Sequence, residues 1–395
     1  MKTIEIFHAK LSKMPKLSKP LKKFLLDLVL VFLACKGRHN FMNLPGWSSY
    51  SDRSFRRHYD KEFAFVEINK QLIDDHFGND ECILAIDASY VSKSGKHSFG
   101  LDRFWSGSAQ QVLLGQEVSV VSVVSVPKGQ ALSLSIVQTP VGQQESRLDG
   151  YLAQIACIAD YAKNKSRYLV ADGYYAKDKV WQKMDELGLF MVTKLRNDAA
   201  MHFVYQGPQK GRGRPRIKDG KVYWKQADTL KRFKLEAPTQ DGWKIYSQVL
   251  YSEQWQRMLK VVWVHKPYKD KTTTVLLACS DVNLPAHTLI EYYRLRFQIE
   301  FLFRDAKQHL GLEHCQSREQ KRLDFHFNTV MMTLNLAIVE NMLQAKEQFS
   351  LQDIKTEYFN QKWLDRIITD LDLDADKIKN HPNFPKLLQL GKLAA

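Results

Sequence analysis

The chain has 395 residues, enough for two or three domains, and its hydrophobic fraction of 44% can supply a full core. The balance of 58 basic to 43 acidic residues leaves a formal charge of +15, which points to a polyanionic partner, most simply nucleic acid. Five scattered cysteines without a CxxC pair argue against a disulfide framework or a zinc knuckle and suit a reducing cytoplasm.

Residues 1–78 read as helical and basic. FLLDLVLVFLAC (24–35) follows several lysines, as in a signal peptide, but Asp27 interrupts it and no small residues mark a cleavage site. It is also too short to span a bilayer, so it reads as a buried helix and no membrane partner is expected. A second helix, DRSFRRHYDKEF, has Ser51 or Asp52 as N-cap and carries Arg53, Arg56 and Arg57. Helix, turn and arginine-bearing helix fit either a small DNA-binding unit or a helical bundle with a basic surface.

Residues 79–196 change character. ECILAIDASYV, QEVSVVSVVSV and ALSLSIVQTP are β-rich, 145–163 is helical, RYLVADG is a strand, AKDKVWQKMDEL a helix and LFMVTKLR a strand. The order β-β-β-α-β-α-β predicts a mixed sheet covered by helices, an α/β fold. Residues 197–284 interrupt it as a β-rich insertion, with VYWKQ, FKLEA, WKIYSQVLY, MLKVVWVHK and TTTVLLACS as antiparallel strands around a basic Gly/Pro loop, GPQKGRGRPRIKDGK. Residues 285–345 return to helix. The tail, 346–395, is helical and amphipathic in patches, suited to packing on the core or to pairing two subunits.

Asp87 and Asp172 each end an apolar strand, where open α/β sheets place ligands. Side by side, two carboxylates repel unless a cation joins them. A pair of Mg²⁺ ions takes such oxygen ligands and can activate an attacking oxygen and stabilise a leaving oxygen at phosphorus. An Asp before Gly or Ser is also a common turn residue. The candidate for a third carboxylate is Glu300, in EYYRLRFQIEFLFRDAKQHLGL (291–312). As one helix, this segment sets Tyr293, Arg296, Glu300, Arg304 and Lys307 on a single face, flanked by phenylalanines. The competing reading is an exposed helix laced by i,i+4 pairs.

Tyr293-x2-Arg296-x3-Glu300-x6-Lys307 resembles the Y-x2-R-x3-E-x6-K signature of bacterial insertion-sequence transposases of the DDE class, more narrowly the cut-and-paste branch called insertion-sequence family four. IDASYVSKSGKHSFGLDRFWSG around Asp87 and ADGYYAKDKVWQKMDELGLFMVTKLRND around Asp172 agree, so the resemblance covers roughly residues 80–345. It implies a ribonuclease H-like catalytic core interrupted by the β-rich insertion, with helical N- and C-terminal regions. Asp87, Asp172 and Glu300 would bind two Mg²⁺ ions, with Mn²⁺ as a substitute. Tyr293, Arg296 and Lys307 would grip phosphates; Arg304, outside the signature, is left between a phosphate contact and a salt bridge with Glu300. The implied activity is cleavage of double-stranded DNA at the element's terminal repeats, hairpin formation and reopening, then joining of the 3′-OH to target DNA by a homodimer at the bacterial nucleoid. In related enzymes a tryptophan of the insertion stacks on a flipped base; Trp243, Trp255 and Trp263 are the candidates, and the motif does not choose. A non-transposing nuclease of the same fold and a transposase-derived repressor are the alternatives.

Arg212-Gly213-Arg214-Pro215-Arg216 resembles the core of an AT-hook, which lays arginines along a narrow minor groove. Minor-groove contact, sequence-blind phosphate contact and a solvated loop all remain open for it.

Overall fold

The structure, a computed structural model, describes residues 2–15, 17–142, 146–239, 241–268, 271–344 and 349–393. The N-terminal region forms α1 (Lys2–Ser12), α2 (Lys19–Ala34), α3 (Asp52–Tyr59) and α4 (Phe65–Phe77). The apolar segment of α2 is buried, from Phe24 through Ala34 on most positions, as its composition requires. Ser51 is the N-cap of α3, its hydroxyl accepting from Ser54 N at 3.3 Å.

The core follows as β1 (Cys82–Ser92), β2 (Asp102–Ser106), β3 (Gln111–Ser125), β4 (Gln130–Gln138), α5 (Arg147–Lys165), β5 (Tyr168–Ala171), α6 (Asp178–Leu187) and β6 (Phe190–Leu195). Strand β3 lies antiparallel between β4 and β1, and β1, β5 and β6 run parallel. Three antiparallel strands leading into two parallel ones, with α5 and α6 as crossovers, make a ribonuclease H-like core. Strand β2, DRFWS, pairs with the outer end of β3 and was not expected. Three of its five residues are polar, and five are too few to display an alternation.

Residues 197–284 hold β7 (Met201–Val204), β8 (Lys218–Lys221), the short α7 (Ala227–Leu230), β9 (Lys234–Leu235), β10 (Lys244–Ser252), β11 (Arg257–Tyr268) and β12 (Lys271–Cys279). These strands continue the core sheet: β12 pairs with β6, and the order runs β2-β3-β1-β5-β6-β12-β11-β10-β7-β8. VYWKQ is a turn rather than a strand. Trp224 Nε1 donates to the Ala199 carbonyl at 2.7 Å and Thr229 Oγ1 to the Tyr223 carbonyl at 2.8 Å, side-chain bonds that stabilise the turn.

The chain ends in α8 (Ala286–Leu295), α9 (Phe297–His309), α10 (Gln320–Leu343), α11 (Leu351–Asp370), α12 (Ala375–Lys379) and α13 (Phe384–Leu388). The expected single helix over 291–312 is therefore two, separated by Arg296 alone, whose dihedrals stay helical at φ −51° and ψ −35°. Helix α10 is buried nearly all round and anchors both chain ends. Its Glu340 accepts from the Thr3 and Tyr358 hydroxyls, while Asn335 Nδ2 donates to Ser133 O at 2.7 Å and Asn69 Oδ1 at 2.9 Å. The junction expected at 345/346 lies outside the described residues. Among the described residues, no helix is long and apolar enough to cross a membrane.

Candidate active site

Strands β1 and β5 pair in parallel at Leu84–Leu169 and Ala85–Val170. Continued by two residues, that register sets Asp87 beside Asp172. Their contexts differ from the expectation in one respect. Asp172 does follow the end of β5, but Asp87 lies inside β1, which runs five residues further and holds Asp87 opposite Val120 of β3. The long antiparallel pairing with β3 explains the extension, because it supplies hydrogen-bond partners where β5 has stopped.

Asp172 caps a short 3₁₀ turn, Gly173–Tyr175, its Oδ1 accepting from Tyr174 N at 2.9 Å. Thr193 Oγ1 of β6 donates to the Asp172 carbonyl at 2.8 Å. A β-carbon on Gly173 would stand 3.1 Å from the Lys194 carbonyl, so the glycine lets this turn lie close against β6.

Helix α9 presents Glu300 because Ile299, Leu302, Phe303 and Ala306 turn its opposite side into the core. Arg296, buried at the α8–α9 break, reaches between the acids: Nη1 donates to Asp87 Oδ2 at 3.2 Å and Nη2 to Glu300 Oε1 at 2.7 Å. Burial raises the Asp87 carboxyl to about 6. Arg296 opposes the shift, while the nearby Asp172 and Glu300 charges add to it. Three acids thus share one field around one guanidinium.

The donors present are hard carboxylate oxygens of the kind Mg²⁺ takes. The arginine between two of them already stands in for a cation, so the residues fit a divalent metal chemically. Among the described residues, however, no three His, Cys, Asp or Glu groups are drawn into a ligand cluster.

Beside the acids opens a cleft of about 890 Å³, lined by Asp172, Lys194, Trp243, Lys266, Tyr293 and Arg296, among others. Trp243 stands in its wall with the Lys266 ammonium 3.9 Å from the ring centroid. Trp263 is buried within the insertion and Trp255 is buried against Trp181 of α6, so only Trp243 of the three candidates reaches the cleft. Sequence reasoning missed Lys194, Lys266 and Arg294, which make this wall basic; the available signal was a lysine within each of two apolar strands.

Other predicted residues lie apart from the acids. Lys307 donates to the Tyr90 carbonyl at 2.5 Å and stands 3.7 Å from Glu313, against the far end of β1. Arg304 is exposed and bonds Asp305 at 2.9 Å rather than Glu300, whose Oε1 is held by Arg296. Arg53 and Arg57 are exposed on α3, while Arg56 lies over the Phe41 ring with its guanidinium carbon 4.8 Å from the centroid. Arg212 and Arg214 are exposed. Arg216 is tied down, donating to Lys218 O at 3.0 Å and Asp219 Oδ1 at 3.1 Å and lying over Tyr205.

Known proteins resemble this chain over part of its length. The transposase for insertion sequence element IS231F of Bacillus thuringiensis subsp. israelensis is 22% identical over 246 residues, 55% of this chain and 50% of that protein. The chain thus spans about half the length of that relative. Among solved structures, the NurA nuclease from Sulfolobus solfataricus is similar over 59% of this chain and 80% of its own, at 9% identity and a TM-score of 0.24, too loose a likeness to carry an argument. Residues 78–336, well over half of the chain, match the model of the transposase DDE domain, and the chain belongs to that family.

Proposed function

We propose that this chain is the transposase of a bacterial insertion sequence, cutting double-stranded DNA at the element's terminal repeats and joining the freed 3′-OH to target DNA. The observation that carries this reading is the β1–β5 register, which sets Asp87 beside Asp172 with Glu300 facing them across Arg296. Asp87, Asp172 and Glu300 would hold two divalent ions, Mg²⁺ or Mn²⁺. When bound, these ions supply charge neutralisation at phosphorus and activation of the attacking oxygen.

The chain's own residues do the rest. Arg296 offers a planar fork suited to two phosphate oxygens once the acids release it. Tyr293 and the basic wall of Lys194 and Lys266 line the path of the backbone. Trp243 presents an aromatic face where an unstacked base could lie. Lys307, clipped to Tyr90, fixes the end of β1 against α9 and keeps its charge on that side of the site. Two copies of the chain would hold the two element ends, with the helical tail as one route to pairing.

The test mixes purified protein, Mg²⁺, labelled DNA carrying the element's ends and a target plasmid. Strand-joined product is expected, and Glu300→Gln is expected to abolish both cutting and joining. Cutting without joining would identify a nuclease, and binding without cutting a repressor. Full cutting by Glu300→Gln would remove Glu300 from the site.

A further inference from the structure

Strand β1 runs five residues beyond Asp87, roughly 17 Å of extended chain. Helix α9 runs beyond Glu300 and turns through Gly311 toward Arg318. The two extensions meet and are bonded together. Ser92 N donates to Glu313 Oε1 at 3.2 Å, Lys93 Nζ to the Cys315 carbonyl at 2.6 Å, Ser98 Oγ to the Ser317 carbonyl at 2.9 Å and Phe99 N to the Arg318 carbonyl at 2.9 Å. Between them lies a cleft of about 560 Å³.

Its lining is strongly one-signed. Arg38, Lys93, Lys96, His97, His314 and Arg318 face it, and Glu313 is the one acid among the lining residues. Glu313 is already engaged by Ser92 N and lies 3.7 Å from Lys307. The exposed Arg38, Lys96 and Arg318 side chains form no ion pair among the described residues. Such crowding of cations is unfavourable in the free protein. Burial lowers the Lys93 ammonium from its ordinary range, and burial together with Arg38 and Lys93 lowers the His314 imidazole. The hydroxyls of Ser92 and Ser94 line the same space and can donate to an anion, while that of Ser98 is committed to the Ser317 carbonyl. Arg38 comes from the N-terminal region and the remaining residues from the core, so the cleft is complete only when both are in place.

We propose that this cleft binds a backbone phosphodiester of the DNA, a second anchoring site separate from the carboxylate centre. The inference rests on the reading of the chain as a DNA-cutting enzyme. At about 3.4 Å of axis per nucleotide, 17 Å along β1 corresponds to roughly five nucleotides from the bond being cut. The N-terminal region and the catalytic core would then be tied together through one strand of the duplex.

The test measures binding of duplex DNA by fluorescence anisotropy across a salt series, for the wild-type chain and the R38A/K96A/R318A variant. The variant is expected to bind more weakly, with a log K against log salt slope shallower by about 0.9 for each phosphate that is no longer neutralised. Neutral methylphosphonates are then placed singly along the element's end. One position, roughly five nucleotides from the cut, should weaken the wild type and leave the variant unaffected. Equal slopes, or equal methylphosphonate losses in both proteins at every position, overturn the proposal. If equal slopes accompany normal cutting by the wild type, the cleft falls and the proposed activity stands. If the wild type binds no DNA, both fall. Matching thermal melts establish that the variant is folded, since the three replaced side chains are exposed.

Discussion

Two arginine-bearing regions of this chain show opposite physics. At the α8–α9 junction, Arg296 is buried and held by two carboxylates, so its direction is set by the fold. In the 207–217 loop, Arg212 and Arg214 are exposed, and only Arg216 is fixed by neighbours. The loop is the denser run of arginines and the more conspicuous in sequence. The single arginine at the junction carries more of the site, because burial beside acids makes its removal costly. For an arginine, the surroundings decide the role, and local density says little.

The largest effect should come from Arg296→Ala. It leaves three acids facing one another, so cutting should be lost and stability should fall by about 3 kcal/mol in metal-free buffer, discounted from a fully buried pair because Glu300 is half exposed. Adding Asp87→Asn should restore much of that loss in chemical denaturation. A wild-type unfolding midpoint for Arg296→Ala would break the comparison.

Asp87→Asn alone should abolish cutting yet stabilise the metal-free protein by about 2 kcal/mol near neutral pH. Here the folded-state carboxyl, at about 6, lies above its ordinary value of 3.8. The wild type's stability from this group is therefore complete below about pH 4 and is lost as pH rises through 6. The gain from the substitution should vanish at low pH; a gain independent of pH between 4 and 7 would rule out this account.

Smaller effects belong to the loop. Arg212→Ala with Arg214→Ala should leave the melting temperature unchanged and flatten the salt dependence of DNA binding by about 0.9 per phosphate. An unchanged slope would leave the loop as a solvated surface. Arg216→Ala should cost only about 0.5 kcal/mol, because its partners are exposed.

Much of the core was legible. The β-branched runs of β1, β3 and β4, the helical period of α5 and the short apolar strands β5 and β6 each announce one element type. The closeness of Asp87 to Asp172 followed once β1 and β5 were placed side by side. What escaped had local causes. Strand β2 is too short to show a period. VYWKQ has the β-branched and aromatic composition of a strand, yet Trp224 and Thr229 bind nearby carbonyls and turn it. The break at Arg296 leaves no mark in the residue pattern, since the dihedrals there remain helical. The β1 extension past Asp87 depends on pairing with β3, a partner whose reach is not written in β1 itself. Trp243 was one of three equal candidates until burial separated it from Trp255 and Trp263.

The pairing of β6 with β12 has a mechanical consequence. Four residues on each strand, Val192–Leu195 and Leu276–Cys279, weld the interrupting segment to the catalytic strands. A pull on the arginine loop at the sheet's outer edge therefore travels across a stiff plank, strand by strand, to β6 and the Thr193 hydroxyl that holds the Asp172 backbone. Swinging that segment aside as a flap would mean tearing the seam, so compliance has to come from the loops at the plank's ends.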